Sequence, residues 1–245
     1  MDNEEPIAYT IGDQPFLGLK IYLDSRPLIP RPETEWWTEQ LLKNVQECRT
    51  EDVSQRDGAR PSKFPAGNYA CPKDGIPARF SFLDLCAGSG AIGCAALAKL
   101  PNAQVYFGEI DPAHETTILK NIRENNLDES RADIRIGDLF EPFGDIKFDV
   151  IAANPPYIPS DRELPASVAD YEPALALRAG PDGLDIIRRI ALSVRCHLAE
   201  RGTAWIECDS AHAAAACALF SAQNLKAEIR NDQYGVQRII VVSFT

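Results

Sequence analysis

From residue 80 to the C-terminus, short apolar runs alternate with helix-forming runs, and this rhythm limits the fold more than any other feature of the chain. "RFSFLDLC" has the length and apolarity of a buried strand, and "GAIGCAALAKL" after it is helical in character. "AQVYFGEI" is a second strand. It leads into "DPAHETTILKNIRENN", a helix with Asp111 placed as its cap and Pro112 at its first position. "ADIRIGD" and "FDVIAAN" are further strands, "GPDGLDIIRRIALSVRCHLAE" carries a helix, "GTAWIEC" is a strand, and "SAHAAAACALFSAQN" is a helix capped by Ser210. Strands that alternate with helices pair in parallel and are covered on both faces. The end, "LKAEIRNDQYGVQRIIVVSF", holds two β-rich runs around a polar turn, which predicts an antiparallel hairpin. One α/β domain over residues 80–245 is therefore expected, with a mostly parallel sheet that ends antiparallel.

The front of the chain differs. Residues 7–31 read as short extended pieces, and "FLGLKIYLD" alternates like a hairpin or edge strand. "RPETEWWTEQLLKNVQEC" reads as a helix, with Pro32 near its start and Glu33 and Glu35 at the positive end of its dipole. Residues 1–48 thus form a small β-hairpin and helix element. Residues 49–79 are polar, rich in Pro and Gly, and read as a surface loop or insertion.

Composition narrows the function. A net charge of -11 counts against a phosphate-backbone grip, which needs clustered Lys and Arg, so no direct nucleic-acid binding is expected. No run approaches the ~20 apolar residues that span a bilayer, and "MDNEEPIAYT" lacks a signal core, so a cytoplasmic protein with no membrane partner is expected. The seven cysteines form no CxxC pair and the three histidines lack ligand spacing. Reduced, buried thiols and no metal site are expected.

Two loops carry the chemistry. The first is "FLDLCAGSGAIG", Phe82 to Gly93, a glycine-rich turn between a strand and a helix. Gly88 and Gly90 let the backbone turn tightly and approach a ligand. About 20 residues on, Glu109 ends the next strand, where an acidic side chain accepts hydrogen bonds from ribose hydroxyls. Gly88, Gly90 and Gly93 also satisfy the dinucleotide pattern G-x-G-x-x-G, so NAD stays open. Asp84 speaks against it, because a carboxylate sits badly beside a pyrophosphate but suits the cationic amino group of a methionine-derived cofactor. The second loop is "NPPY", Asn154 to Tyr157, at the end of the fourth strand of the rhythm. Ligands of open α/β sheets bind beyond the carboxyl ends of the strands, so Asn154 belongs near the glycine loop. The Asn154 oxygen and the Pro155 carbonyl are placed to accept the N–H groups of a planar target nitrogen, Pro156 helps fix the backbone, and Tyr157 stacks on the target.

"D-L-x-x-G-S-G" resembles the first motif of the seven-stranded, Rossmann-like S-adenosylmethionine methyltransferases. The N-terminal segment with Ala8, Tyr9, Gly12, Phe16, Gly18 and Leu19, then "LIPRPETE", resembles the protein-(glutamine-N5) methyltransferases of peptide chain release factors. "NPPYIP" and "YEPALALRAGPDGLDIIRRI" match the same family, and the likeness spans essentially residues 7–245. The resemblance implies S-adenosylmethionine as cofactor and a class I release factor as partner, methylated on the glutamine of its Gly-Gly-Gln motif. It implies cofactor contacts from Asp84, Cys86, Ala87, Gly88, Ser89, Gly90, Glu109, Asp138, Leu139 and Asn154. By the same resemblance Asp138 meets the adenine amino group. It also implies a substrate pocket of Asn154, Pro155, Pro156 and Tyr157 with Phe16, Pro30, Arg31, Glu33 and Thr34. Three positions depart from the family pattern: Cys86 where Gly is usual, Glu109 where Asp is usual, and Leu139 where Trp is often found. The family usually carries a small helical domain ahead of this segment that docks the release factor, so either lower affinity for the partner or compensation by residues 49–79 is expected. Glutamine methylation of a ribosomal protein, and N6-adenine methylation of DNA or RNA, stay as alternatives; the "RPETE" block favours the release factor.

Overall fold

The computed structural model describes residues 5–54 and 80–245. A single turn of helix opens the chain, α1 (Ile7–Ile11), where extended structure was expected. Its residues favour strands by type, but Pro6 starts it and Gly12, at φ +90, ends it by returning its N–H to Ala8. Tyr9 is buried beneath it and donates its hydroxyl to the Pro27 carbonyl at 2.6 Å. The expected hairpin follows as β1 (Asp13–Phe16) and β2 (Leu19–Tyr22). Its two turn residues, Leu17 and Gly18, both hold positive φ, as the tight turns that match strand twist require.

Helix α2 (Pro32–Ser54) is longer than expected and takes in residues 49–54 of the stretch read as a loop. "RTEDVS" contains neither Gly nor Pro, so nothing in it stops a helix already under way. The rest of that stretch lies outside the described residues. Trp37, Leu41 and Val45 recur four residues apart on α2 and are buried as one stripe.

The alternating elements come out as read: β3 (Phe80–Leu85), α3 (Ala91–Lys99), β4 (Ala103–Glu109), α4 (Ala113–Glu124), β5 (Ala132–Ile136) and β6 (Phe148–Ala153). Asp111 caps α4 by accepting the Ala113 N–H at 2.8 Å, with the helix starting just after Pro112. Two short helices, α5 (Ala166–Ala169) and α6 (Ala174–Leu177), follow the fourth strand of the rhythm. Then come α7 (Asp185–His197), β7 (Leu198–Glu207), α8 (Ala213–Ser221), β8 (Leu225–Asn231) and β9 (Gln237–Phe244). Ser210 does not cap α8. A 3-10 turn intervenes at Ser210–His212, and Asp209 caps that turn by accepting the Ala211 N–H.

The sheet has seven strands in the order β5-β4-β3-β6-β7-β9-β8. The first five are mutually parallel, while β9 runs antiparallel to both β7 and β8. Successive residues of a strand feed opposite faces: Phe82 packs on the side of α2 and α3, and Leu83 on the side of α7 and α8. The front element therefore shares a core with the glycine-loop helix. The chain order reverses at β3, between β4 and β6, which places the loops after β3 and β6 side by side at the ligand edge. Among the described residues five cysteines are free; Cys94 and Cys208 are buried, but Cys196 is exposed. No helix among the described residues is long and apolar enough to cross a membrane.

Gly93 shows how tightly α3 lies on the sheet. A Cβ at this position would meet the buried ring of Phe107 at 2.2 Å. Gly93→Ala is expected to destabilise the protein by about 1–3 kcal/mol despite alanine's better helix propensity, seen as a melting temperature lower by several degrees.

Candidate active site

The glycine loop departs from an anion cradle. Cys86, Gly88 and Gly90 all have positive φ, at 63°, 55° and 75°. The Cys86 value explains why glycine suits that position, since an L side chain is strained there. Three of the loop's N–H groups are already bonded. Gly88 donates to Glu109 Oε2 at 2.7 Å, Gly90 to the Ala87 carbonyl at 2.7 Å, and Gly93 to Asp84 Oδ2 at 2.8 Å. Glu109 Oε1 also accepts the N–H groups of Ile110 and Asp111, each at 2.9 Å. The extra methylene of glutamate lets this carboxylate reach the loop and the strand end together.

Two cavities adjoin at the ligand edge. The larger, about 200 Å³, is lined among others by Cys86, Gly88, Glu109, Asp138, Leu139 and Asn154. The second, about 180 Å³, is lined by Arg31, Asn154, Tyr157 and Leu177 among others. Asn154, Leu28 and Ala176 line both. Several expected contacts are not brought there. Ala87, Ser89 and Gly90 line neither cavity. Phe16 is 1% exposed in the core, and Pro30 and Glu33 line neither cavity.

Asp84 is the chief correction. It has no exposed surface, lines neither cavity, and holds the start of α3 through Gly93. Its Oδ1 has no partner among the described residues. Burial pushes its carboxyl up to about 8, with the Gly93 hydrogen bond opposing and the charge of Glu109 adding.

The substrate-side residues form one network. Asn154 Nδ2 donates to Thr34 Oγ1 at 3.1 Å. Thr34 donates to Glu207 Oε2 at 2.7 Å, and the Trp37 indole donates to the same oxygen at 2.6 Å. The Tyr157 hydroxyl donates to Glu207 Oε1 at 3.0 Å. Glu207 is 1% exposed; burial raises its carboxyl, opposed by these donors and by Arg238. Burial and the neighbouring Glu207 hold the Tyr157 phenol well above its usual range. Arg31 donates to buried Glu172 at 2.6 Å, joining the "RPETE" and "YEP" segments.

Sequence reading missed Glu207, Glu172 and Arg189. Arg189 on α7 pairs with Asp138 at 2.6 Å across the larger cavity. The available signal for Glu207 was its place: like Glu109 and Asp138, it is an acid at the carboxyl end of a parallel strand.

Comparison with known proteins accords with this arrangement. Residues 74–169 match the Methyltransferase small domain family. A release factor glutamine methyltransferase of Geobacter sulfurreducens is 31% identical over 239 residues, covering 96% of this chain and 72% of that protein. Its counterpart in Thermodesulfovibrio yellowstonii is 31% identical over 98% of this chain and 76% of its own. The chain belongs to the release factor glutamine methyltransferase family. It is an enzyme, an S-adenosylmethionine-dependent protein methyltransferase. The family also borders others: a ribosomal protein uL3 glutamine methyltransferase of Bradyrhizobium diazoefficiens is 33% identical over 81% of this chain and 56% of its own. Among solved structures the hMettl16 catalytic domain in complex with a MAT2A 3'UTR hairpin has a TM-score of 0.59 at 18% identity, covering 93% of this chain and 76% of that one. A T. thermophilus 16S rRNA N2 G1207 methyltransferase in complex with AdoMet and guanosine has a TM-score of 0.56 at 15% identity, covering 95% of this chain and 50% of its own. These two share the fold of the release factor glutamine methyltransferase family.

The buried Asp84 has a pH signature. The native state keeps its proton to about pH 8, while the unfolded chain releases it near the ordinary 3.8. The folded state therefore binds more protons between these values, and stability falls as pH rises through that window. Asp84→Asn keeps an acceptor for Gly93 and removes the titration. Its melting temperature is expected to decline less between pH 5 and pH 8 than that of the wild type, read by thermal denaturation at each pH.

Proposed function

We propose that the chain methylates the side-chain amide nitrogen, N5, of the glutamine in the Gly-Gly-Gln motif of a class I peptide chain release factor, using S-adenosylmethionine. The observation that carries this reading is the position of Asn154, which lines both cavities at once.

The larger cavity fits the cofactor's charge. Its ionisable lining includes Glu109, Asp111 and Asp138 against Arg189, an acidic balance that suits a cationic ligand. A pyrophosphate would find the loop amides of Gly88 and Gly93 already bonded to acidic side chains, which counts against NAD. On this reading Glu109 would take ribose hydroxyls, Asp138 the adenine amino group, and Leu139 would give that ring apolar cover. Bound there, the cofactor supplies a methyl group activated by a sulfonium.

The chain's own part is to hold the acceptor. An amide nitrogen is a weak nucleophile because its lone pair is delocalised into the carbonyl. Asn154 Oδ1 and the Pro155 carbonyl accept its two N–H groups, fix its direction and raise its electron density. Pro155 and Pro156 make the loop rigid, and Tyr157 flanks the flat amide. Acceptors around the nitrogen also stabilise the positive charge that develops on it. Positioning then provides most of the rate, with no strong base required.

A ribosomal protein glutamine is the second reading, supported by the uL3-directed relative. The test is to incubate the protein with methyl-labelled S-adenosylmethionine and, separately, a class I release factor, its Gly-Gly-Gln→Gly-Gly-Ala variant, ribosomal protein uL3, and DNA or RNA. Label on the wild-type release factor alone is expected. Label on uL3 alone selects the second reading, and label on nucleic acid alone overturns both. Asn154→Ala is expected to lower turnover by about a hundredfold or more while cofactor affinity, measured by calorimetry, changes only a few-fold.

A further inference from the structure

We propose that Trp37, Glu207 and Thr34 are positioning residues that decide which way round the Asn154 amide sits, so that its oxygen and not its NH₂ faces the acceptor. This inference rests on the glutamine-amide reading of the site, and it adds residues which that reading does not need by itself.

The argument is one of donor and acceptor polarity passed along a chain. An indole N–H only donates. Trp37 Nε1 lies 2.6 Å from Glu207 Oε2, so that oxygen is bound to accept. Thr34 Oγ1 lies 2.7 Å from the same oxygen, so the single hydroxyl proton of Thr34 must be spent on it. Only lone pairs then remain on Thr34 Oγ1 toward Asn154. The group that lies 3.1 Å away must therefore be a donor, which is Asn154 Nδ2. The flipped amide would set two acceptors against each other within a partly buried contact, which is strongly disfavoured. That assignment leaves Asn154 Oδ1 as the end of the amide free to accept, on a residue that lines both cavities. A site built to accept amide protons needs that orientation, since an exposed NH₂ would face another donor.

The same carboxylate also fixes the other side chain of the loop. Tyr157 donates to Oε1, so Asn154 and Tyr157 hang from opposite oxygens of Glu207. A proton added to this carboxyl belongs on Oε1, where the Tyr157 hydroxyl can turn from donor to acceptor. The two donors on Oε2 leave the polarity toward Asn154 unchanged. Thr34 acts through Asn154, although it had been expected to line the substrate pocket; it is 4% exposed and lines neither cavity.

The test compares Thr34→Val, which keeps the shape and removes the hydroxyl, with Thr34→Ser, which restores it, in the full chain. With release factor as substrate, Thr34→Val is expected to lose about tenfold or more in kcat with KM changed less than about threefold, and Thr34→Ser to recover most of the loss. A second readout needs no substrate. The Asn154 side-chain amide resonances, identified by their loss in Asn154→Ala, should exchange slowly with water in the wild type and Thr34→Ser, and quickly in Thr34→Val. Melting temperatures identify any variant that fails to fold; should Thr34→Val be one, the wild type carries the test, and fast exchange of its Asn154 amide protons overturns the proposal. Unchanged kcat together with unchanged amide exchange in a folded Thr34→Val overturns the proposal, as does a rise in KM alone. If the wild type labels no release factor, the functional reading falls, while the amide exchange still decides whether the polarity chain exists.

Discussion

A buried carboxylate surrounded by donors ties the two halves of this molecule together. Glu207 ends β7 in the centre of the sheet edge, and its oxygens take Thr34 and Trp37 from α2 and Tyr157 from the loop after β6. An ionised group with almost no exposure is costly unless its lone pairs are filled, so each donor that leaves raises the cost of those that stay. That requirement holds the front helix against the catalytic edge. It also makes α2 part of the site: without it Glu207 would lack two of its donors, and Asn154 its anchor.

A second constraint acts on the cofactor side. A glycine turn leading into a helix ordinarily offers free amides to an anion. Here Asp84 and Glu109 occupy those of Gly93 and Gly88, one from below and one from the neighbouring strand end. The backbone keeps the tight shape that a nucleoside needs and loses the positive field that a phosphate needs. The pattern G-x-G-x-x-G is thus compatible with opposite ligand charges, and the acidic side chains that take its amides choose between them.

The strand and helix alternation was legible because central strands such as β3 and β6 are buried along most of their length and read as short apolar runs. Asn154, Glu109 and Asp138 were legible because strand ends converge on one edge in any such sheet. What escaped reading depends on contacts distant in the chain or on local punctuation against residue type. The turn α1 consists of strand-favouring residues and is set by Pro6 and Gly12. Asp84 looked like a ligand contact, yet a residue one turn of backbone below the loop faces the core. Glu207 and Glu172 were unreadable as partners because Trp37 and Arg31 lie 170 and 141 residues away.

The Arg31 and Glu172 pair has a further meaning for how such a chain changes over generations. Glu172 is almost fully enclosed, and removing one member of an enclosed ion pair leaves an uncompensated charge, whereas replacing both by apolar residues is often tolerated. Each position is therefore closed to drift while its partner stays. A change at Arg31 alone strands the enclosed Glu172 charge, and only a paired change at both positions avoids that cost.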